Sequence, residues 1–453
     1  MSAAEIAART VEAVTSRLRG AEVVSVLERS EDHLTRFADS AIHQNVADEA
    51  WTASVTAHLD GRTLRLTTGL AGPEDGGAIE AVADRVAQSL ALAPLDPRWA
   101  GVAGAAEVAA EQERPGSTPA ERAAAVAAFI EGAGGLSTAG YVKSYRSESG
   151  VATSGGQIAS MRTGASAIDG IASINGVDGV SRSRVHAFAD LDPYAAGALA
   201  AAKARAAQDA AELRPGRYEV ILEPAAAANI VSTLAMYGFN GRMALDGASF
   251  VELGTQQFDP SISLVDDGPA WGVTVDSEGT PKQRLAFVEG GRATRIAHDR
   301  RTAAESGGAS TGHGSGYGVP DAAHLGIEPG VAAAVAASPV HVAPTAASLL
   351  AGVTGSSRAL LVSDFWYTRV LDPRQVTVTG LTRNGMWLVE NGAIVGAVQN
   401  VRFTQSYPGA LAPGQVLGVG PDVVTDPDSW APTAHFAPAL HLASWNVTGN
   451  ASG

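Results

Sequence analysis

Strand-like stretches of this sequence occur in groups and do not alternate with helices, and this grouping limits the fold more than any other feature. Residues 34–46, 51–59 and 63–68 alternate loosely between apolar and polar side chains. Asp60-Gly61 is a strong hairpin-turn signal between the last two. Similar strand-like runs recur at 140–148, 157–165, 166–175, 180–189 and 271–275. Grouped strands predict an α+β fold, with N-terminal sheet-and-helix units followed by a β-rich C-terminal domain, and argue against a doubly wound α/β fold.

Helical stretches separate these groups and predict three domains. Apolar side chains recur at helical spacing in residues 4–19 and 78–93, and an alanine-rich helix is predicted at 193–213. A capped helix is predicted to begin at Pro119, and a helix from Pro224 is predicted to turn Ile230, Val231, Leu234 and Ala235 inward. Residues 95–118 are rich in proline and glycine and indicate a linker. The predicted domains are an N-terminal α+β domain (1–95), a central α+β domain (96–215) and a β-rich C-terminal domain (216–453).

Composition excludes several classes of function. The chain of 453 residues has no cysteine, which excludes disulfides, a cysteine nucleophile and thiolate-bound metals. Its 32 basic and 47 acidic residues give a net charge of -15, which argues against nonspecific binding to nucleic acid or anionic membranes. No run of about 18 apolar residues predicts a membrane span, and no targeting segment is visible. We expect a cytoplasmic protein.

Glycine is unusually dense in residues 307–318, where it occupies every second position from Gly312 to Gly318. This spacing differs from GxGxxG and precedes no predicted helix, so a dinucleotide site is not expected. Such a backbone can approach a peptide, a ligand or another subunit closely. A tightly packed surface loop explains the same composition, and both interpretations stay open.

Charged and titratable residues cluster just before and within this stretch. His298, His313 and His324 lie near acidic residues but lack the i, i+4 spacing of a metal site on a helix face, so no metal site is predicted. The arginine-rich residues 292–301 suit either a bound carboxylate or phosphate, or pairing with internal acids at a domain or subunit contact. We favour the second interpretation.

Three stretches together resemble the TldD/PmbA family, a group of bacterial metallopeptidase-related proteins also called modulators of DNA gyrase. Residues 35–45 read TRFADSAIHQN, residues 287–312 contain FVEGG, DRRTA and STG, and residues 380–392 contain GLTRNG and LVENG. Their order and spacing extend the resemblance over nearly the whole chain.

The resemblance implies one of two branches that pair as a TldD–TldE heterodimer. The TldD branch binds zinc through HExxxH on the first helix of its C-terminal domain and through a later cysteine. Aligned on the predicted strand at 218–222, this motif falls on residues 232–237, which read STLAMY. Ser232, Thr233 and Tyr237 replace the two histidines and the glutamate, and no cysteine exists. The resemblance therefore implies the TldE/PmbA branch, with no catalytic residue and no metal ligand in this chain.

The implied function is a metal-free subunit of a TldD/TldE-type metallopeptidase complex that acts on extended or unfolded peptides. A TldD-like partner would supply the zinc ion. Two alternatives stay open: a stand-alone hydrolase that uses His298, His313 or His324, and a homodimeric peptide-binding protein without catalysis. No nucleic-acid motif supports a gyrase role. The candidate residues of the substrate cavity are Ser232, Thr233, Tyr237, Gly312, His313 and Gly314.

Overall fold

The computed structural model describes the chain except residues 74, 113–114, 317, 332–338, 356, 426–432 and 452–453. Tyr317 of the glycine-rich stretch thus lies outside the described residues. The helices of the described part are α1 (Ala3–Arg17), α2 (Gly76–Ser89), α3 (Pro119–Gly132), α4 (Pro193–Ala206), α5 (Pro224–Tyr237), α6 (Gly241–Leu245), α7 (Arg300–Ser306), α8 (Pro344–Leu350) and α9 (Tyr407–Ala410).

Strands account for more of the described chain than helices do, and the α+β prediction is confirmed. The strands are β1 (Glu22–Ala38), β2 (Ala41–Leu59), β3 (Arg62–Leu70), β4 (Ser137–Thr153), β5 (Ile158–Ile174), β6 (Val177–Val185), β7 (Gly216–Leu222), β8 (Leu264–Asp266), β9 (Leu285–Glu289), β10 (Arg292–Ala293), β11 (Leu325–Ile327), β12 (Arg358–Asp372), β13 (Thr377–Glu390), β14 (Ala393–Ala397), β15 (Val401–Ser406), β16 (Val416–Val419), β17 (Val424–Thr425), β18 (Phe436–Ala437) and β19 (Leu440–Asn450).

Tight turns set the register of the N-terminal strands. Asp60 and Gly61 both have positive φ (50° and 73°), the geometry of a type I′ turn, and this turn joins β2 to β3 as predicted. A second turn at Asp39 and Ser40 joins β1 to β2. Helices α1 and α2 cover one face of these strands and bury an apolar core with them.

One sheet of twelve strands runs through both halves of the chain. Its order is β10-β9-β8-β11-β18-β17-β6-β5-β4-β1-β2-β3. Because β1 pairs with β4, the first two predicted domains share this sheet. Strands β8 to β11, β17 and β18 extend it with residues of the predicted third domain. The domain limits themselves stay a prediction.

The other C-terminal strands form a small closed barrel. Their order is β12-β7-β19-β15-β13, with β14 and β16 attached at the side, and β12 also pairs with β13 to close the ring. The β7–β12 pair is parallel, whereas the other pairs are antiparallel. Helix α5 follows β7 directly and packs on this barrel, so its position depends on the C-terminal core.

Several predicted boundaries are wrong for local reasons. The predicted helix 193–213 ends at Ala206, before Asp209 adopts positive φ. Two strands predicted at 157–165 and 166–175 form the single strand β5, because the small residues between them continue the ladder with β4. A strand predicted at 271–275 is absent from the described residues there; a 3-10 turn ends at Trp271, and Gly272 follows in the left-handed conformation.

Among the described residues, none of the helices combines the length and apolar character that a membrane crossing requires.

Candidate functional site

A cavity of about 1330 Å³ lies between the N-terminal strands and the C-terminal half of the chain. One wall is the side of β1, β2 and β3 that faces away from α1 and α2. The opposite wall includes α5, parts of β12 and β13, and loop residues from 273–282, 312–315 and 319–324. The side chains on the sheet wall include Val26, Glu28, Thr52, Ser54, Arg65 and Thr67.

Helix α5 has one face in the core and one in the cavity. Ile230, Val231, Leu234 and Ala235 are buried against the barrel, as predicted from their helical spacing. The residues of α5 that line the cavity are Asn229, Ser232, Thr233, Met236 and Tyr237, with Ala235 at the boundary between the two faces. Ser232, Thr233 and Tyr237 therefore lie on the cavity side.

Asn229 organises the polar part of this face. The Ser232 and Thr233 hydroxyls donate to its backbone carbonyl at 3.1 and 2.8 Å. Its side-chain oxygen accepts the Tyr407 hydroxyl at 2.7 Å, and its amide nitrogen lies 3.3 Å from Thr368 Oγ1. Burial raises the pKa of Tyr407, so its hydroxyl stays protonated and acts as the donor. Sequence reasoning missed Asn229, since an isolated asparagine gives no motif signal.

The cavity face of α5 does not fit the zinc ion that the resemblance assigns to the other branch. Ser232 and Thr233 offer hydroxyl groups that already donate to the helix backbone, and neutral hydroxyls are poor zinc ligands. Helix α5 also carries no carboxylate that could serve as a general base. Within the described residues there is no group of three or more His, Asp or Glu side chains arranged to hold a metal ion.

The glycine-rich loop lines the cavity and packs tightly against its neighbours. Gly312 has φ +73°, and a Cβ atom there would lie 2.6 Å from the Pro281 carbonyl oxygen. The Gly314 amide donates to Asp276 Oδ2 at 2.8 Å. Asp276 Oδ1 also accepts two amides of the 276–280 turn. Close packing thus explains why residue 312 is a glycine. Gly312, His313 and Gly314 all line the cavity.

A buried cluster of charged and polar side chains lies beside the loop. Lys282 Nζ is 3.0 Å from Asp266 Oδ1, and His313 Nε2 is 3.4 Å from the same oxygen. The His313 Nδ1 atom contacts Thr311 Oγ1 at 2.9 Å, which fixes the ring from its other side. Burial alone would raise the pKa of Asp266, but Lys282 and His313 hold it well below its usual value. Asp266 is therefore ionised at neutral pH.

The three histidines of the sequence prediction have different surroundings. His324 lines the cavity, and burial lowers its pKa to about 3, so its ring is neutral at physiological pH. Its Nδ1 atom has no hydrogen-bond partner in the described part of the chain. The His298 ring lies 3.2 Å from Thr302 Oγ1 and is not among the cavity residues. His313 and His324 thus lie beside Asp266, the first through its ring and the second through its backbone amide, whereas His298 does not.

A side pocket of about 330 Å³ adjoins the cavity and contains several charged side chains. Arg300 donates from Nε to the Gly101 carbonyl at 3.0 Å and from Nη2 to the Ala100 carbonyl at 3.3 Å. Arg301 forms a salt bridge with Asp96 at 2.5 Å, which confirms for this arginine the predicted pairing with an internal acid. The residues that line both spaces are Val26, Ser54, Arg65 and Ser277.

Glu278 lies in the wall of this side pocket and accepts the Arg300 backbone amide at 2.8 Å. Burial raises the pKa of Glu278 to about 7, and the nearby Asp276 and Asp299 carboxylates add to the effect. A part of the Glu278 population is therefore uncharged at neutral pH.

All six residues predicted for a substrate cavity line the same space, although they come from two stretches about 75 residues apart. Whether they bind substrate stays a prediction. The sequence did not indicate Asp266, Lys282 or Arg65, because each is an isolated charged residue whose neighbours come from other strands and loops.

Comparison with known proteins gives one family match. Residues 215–449 match the model of the PmbA/TldA metallopeptidase C-terminal domain. A comparison with curated proteins finds no match.

Solved structures with a similar fold cover nearly the whole chain. One is TldE from Thermococcus kodakarensis, with a TM-score of 0.83, 16% identity, and coverage of 97% of this chain and 99% of that one. Two others are described as candidate modulators of DNA gyrase. The protein from Thermotoga maritima has a TM-score of 0.79, 17% identity, and coverage of 97% and 99%. The protein from Bacteroides thetaiotaomicron has a TM-score of 0.77, 15% identity, and coverage of 98% of each chain. These similarities establish the shared fold.

Proposed function

The chain belongs to the TldD/PmbA family, and we propose that it is the zinc-free subunit of a TldD/TldE-type peptidase in the cytoplasm. An HExxxH-bearing homologue would hold the zinc ion and perform the hydrolysis. This chain would complete the enclosure around an extended peptide and contribute binding residues.

The observation that carries this proposal is the cavity face of α5. It occupies the position that the resemblance gives to the zinc-binding helix, yet it presents Ser232, Thr233 and Tyr237. The two hydroxyls of Ser232 and Thr233 bond to the helix backbone. These side chains suit contact with a peptide and do not suit zinc binding, which supports the proposed role of a zinc-free subunit.

The size and lining of the cavity favour an extended peptide as the bound molecule. Its volume of about 1330 Å³ exceeds the ~300–1,000 Å³ of typical small-molecule pockets. Hydroxyl groups project from the sheet wall, and Ser54 Oγ lies 2.8 Å from Thr67 Oγ1. A row of short polar side chains can exchange hydrogen bonds with a peptide backbone without selecting a sequence.

Native mass spectrometry combined with elemental analysis tests the subunit role. The purified chain alone should contain no stoichiometric zinc and should cleave no unfolded protein. Mixing with an HExxxH-bearing homologue should give a 1:1 complex that contains zinc and degrades the substrate. A zinc-loaded chain that cleaves peptides by itself would overturn the proposal.

A pair of tryptophan variants tests whether the cavity serves the complex. Thr233→Trp places a large ring in the cavity, whereas Gln88→Trp places it on the exposed face of α2. We expect the first variant to assemble with the partner but to lose most peptidase activity, while the second keeps it. Equal activity of both complexes would show that this cavity is not used.

A stand-alone hydrolase is the second candidate, and the His313–Asp266 contact is the observation that favours it. A carboxylate 3.4 Å from a ring nitrogen is a feature of general-base histidines. Activity of the chain alone that disappears in His313→Gln, with unchanged thermal stability, would support this candidate. A homodimer that binds peptide and stays inactive with every homologue would instead support a binding protein.

A further inference from the structure

The side pocket next to the main cavity is lined by three arginines and, among the described residues, one acidic side chain. We propose that it binds a carboxylate group of the peptide held in the main cavity, with Arg65 and Arg300 as the principal contacts. The inference rests on the proposed peptide-binding function and extends it to the chemical class of the substrate.

Charge is the first reason for this proposal. Three arginines, Arg65, Arg300 and Arg301, line a pocket whose one acidic lining residue among those described is Glu278. Arg301 has a carboxylate partner in Asp96. Arg300 forms no salt bridge within the described part of the chain, since its guanidinium hydrogen bonds go to two carbonyl oxygens. In a protein of net charge -15, such a group of arginines points to an anionic ligand.

The geometry of Arg300 is the second reason. Its two carbonyl contacts hold the guanidinium in one orientation, so little side-chain entropy is lost when a ligand binds. A guanidinium presents five N–H donors in a planar fork and pairs well with the two oxygens of a carboxylate. Burial raises the pKa of Glu278 to about 7, so this carboxyl group neutralises the arginines only in part at neutral pH.

Size and position are the third reason. The pocket volume of about 330 Å³ is at the lower end of ligand-binding pockets and suits one end or one side chain of a peptide. Arg65 lines both the pocket and the main cavity. A peptide lying along β1 to β3 would therefore reach the arginines without leaving the cavity.

Fluorescence anisotropy with the full-length chain tests the inference. Three short peptides of neutral sequence carry fluorescein at the amino terminus. The first ends in a free carboxylate, the second in an amide, and the third ends in an amide but contains one internal glutamate. We expect the amide to bind at least about tenfold more weakly than the free acid, because a charge-assisted pairing is lost. Recovery of affinity by the third peptide would identify an acidic side chain as an accepted source of the carboxylate; no recovery would identify the C-terminus.

Variants assign the effect to the pocket. Arg300→Gln and Arg65→Gln should each bind the free acid about as weakly as the wild-type chain binds the amide. Arg300→Lys should recover part of the affinity, since it keeps the charge but not the planar fork. Arg85→Gln, on the exposed face of α2, is the matched control and should bind like the wild type. Thermal unfolding of each variant identifies any that fail to fold.

Two results separate this inference from the function on which it rests. If all three peptides bind equally well, or if Arg300→Gln and Arg65→Gln fold and bind like Arg85→Gln, the carboxylate site is refuted while peptide binding stands. If no peptide binds the wild-type chain, the proposed peptide role of this chain fails and the carboxylate site fails with it.

Discussion

Replacement of Lys282 by methionine tests whether the buried cluster beside the cavity stabilises the protein. The Lys282 and Asp266 side chains are 4% and 0% exposed, and their charged atoms lie 3.0 Å apart. Methionine has a similar length but no charge, so Lys282→Met leaves the Asp266 carboxylate buried. Its remaining contacts are the His313 ring at 3.4 Å and the His324 backbone amide at 3.2 Å.

The expected cost follows from these contacts. Removing one partner of a buried ion pair typically costs about 3–5 kcal/mol, because the other charge stays buried without compensation. The contacts of Asp266 with His313 and His324 offset part of this penalty, so we expect about 3 kcal/mol, the lower end of that range. The double variant Asp266→Asn/Lys282→Met removes both charges and should be more stable than Lys282→Met alone.

The effect should also depend on pH. The pKa of Asp266 is held below its usual value in the folded chain, so its ionisation stabilises the fold at pH values above the unfolded carboxyl pKa of about 4. This contribution is lost as the pH falls below that value. The stability difference between wild type and Lys282→Met should therefore be largest near neutral pH and smaller in acid.

Urea unfolding followed by circular dichroism measures these differences. Lys143→Met is the matched control, because Lys143 pairs with Asp32 at 2.7 Å but both side chains are about one third exposed or more. Such a pair contributes at most about 1 kcal/mol. If Lys282→Met costs no more than Lys143→Met at neutral pH, the buried cluster does not stabilise the fold as reasoned.

Three further outcomes are expected. Gly312→Ala should cost more in unfolding free energy than Gly307→Ala, because both glycines have φ near +74° but only at Gly312 would Cβ lie against a backbone oxygen. Thermal unfolding of the two variants measures the difference, and equal losses of stability would contradict the packing argument. Because the folded chain raises the pKa of Glu278 to about 7, stability should fall as the pH rises through about 4.5 to 7, and Glu278→Gln should reduce this fall, as denaturation over a pH series would show. Thr118→Ala removes the cap of α3 and should cost about 1 kcal/mol, against a few tenths for Thr118→Gly.

Local signals were sufficient to predict many of the elements and the fold class. The Asp60-Gly61 turn, the start of α3 at Pro119 and the inward face of α5 all depend on neighbouring residues and are found as predicted. Strand limits were harder to predict. Residues 34–46 were interpreted as one run, but a turn at Asp39 and Ser40 divides them. The sequence did not indicate this turn, because neither residue is a glycine, the residue that most readily adopts positive φ.

The candidate site was only partly predictable, because its charged residues meet through long-range pairing. Ser232 and His313 were singled out by the resemblance and by the glycine-rich stretch, and both line the cavity. Asp266 lies at the end of a three-residue strand, and Lys282 lies in a loop. They meet because the 276–280 turn brings the chain back beside β8. No spacing of residues in the sequence predicts the contact between Asp266 and Lys282.

The division of α5 into two faces explains how one fold can hold different chemistry. Ile230, Val231 and Leu234 fix the helix against the barrel and are fully buried. Within the described part of the chain, the Ser232 and Thr233 hydroxyls bond to the helix itself, so their replacement changes the donor groups facing the cavity without disturbing the core. Structural similarity at 15–17% identity establishes the shared fold and does not identify the side chains on the cavity face. The donor groups on the cavity face therefore have to be compared residue by residue.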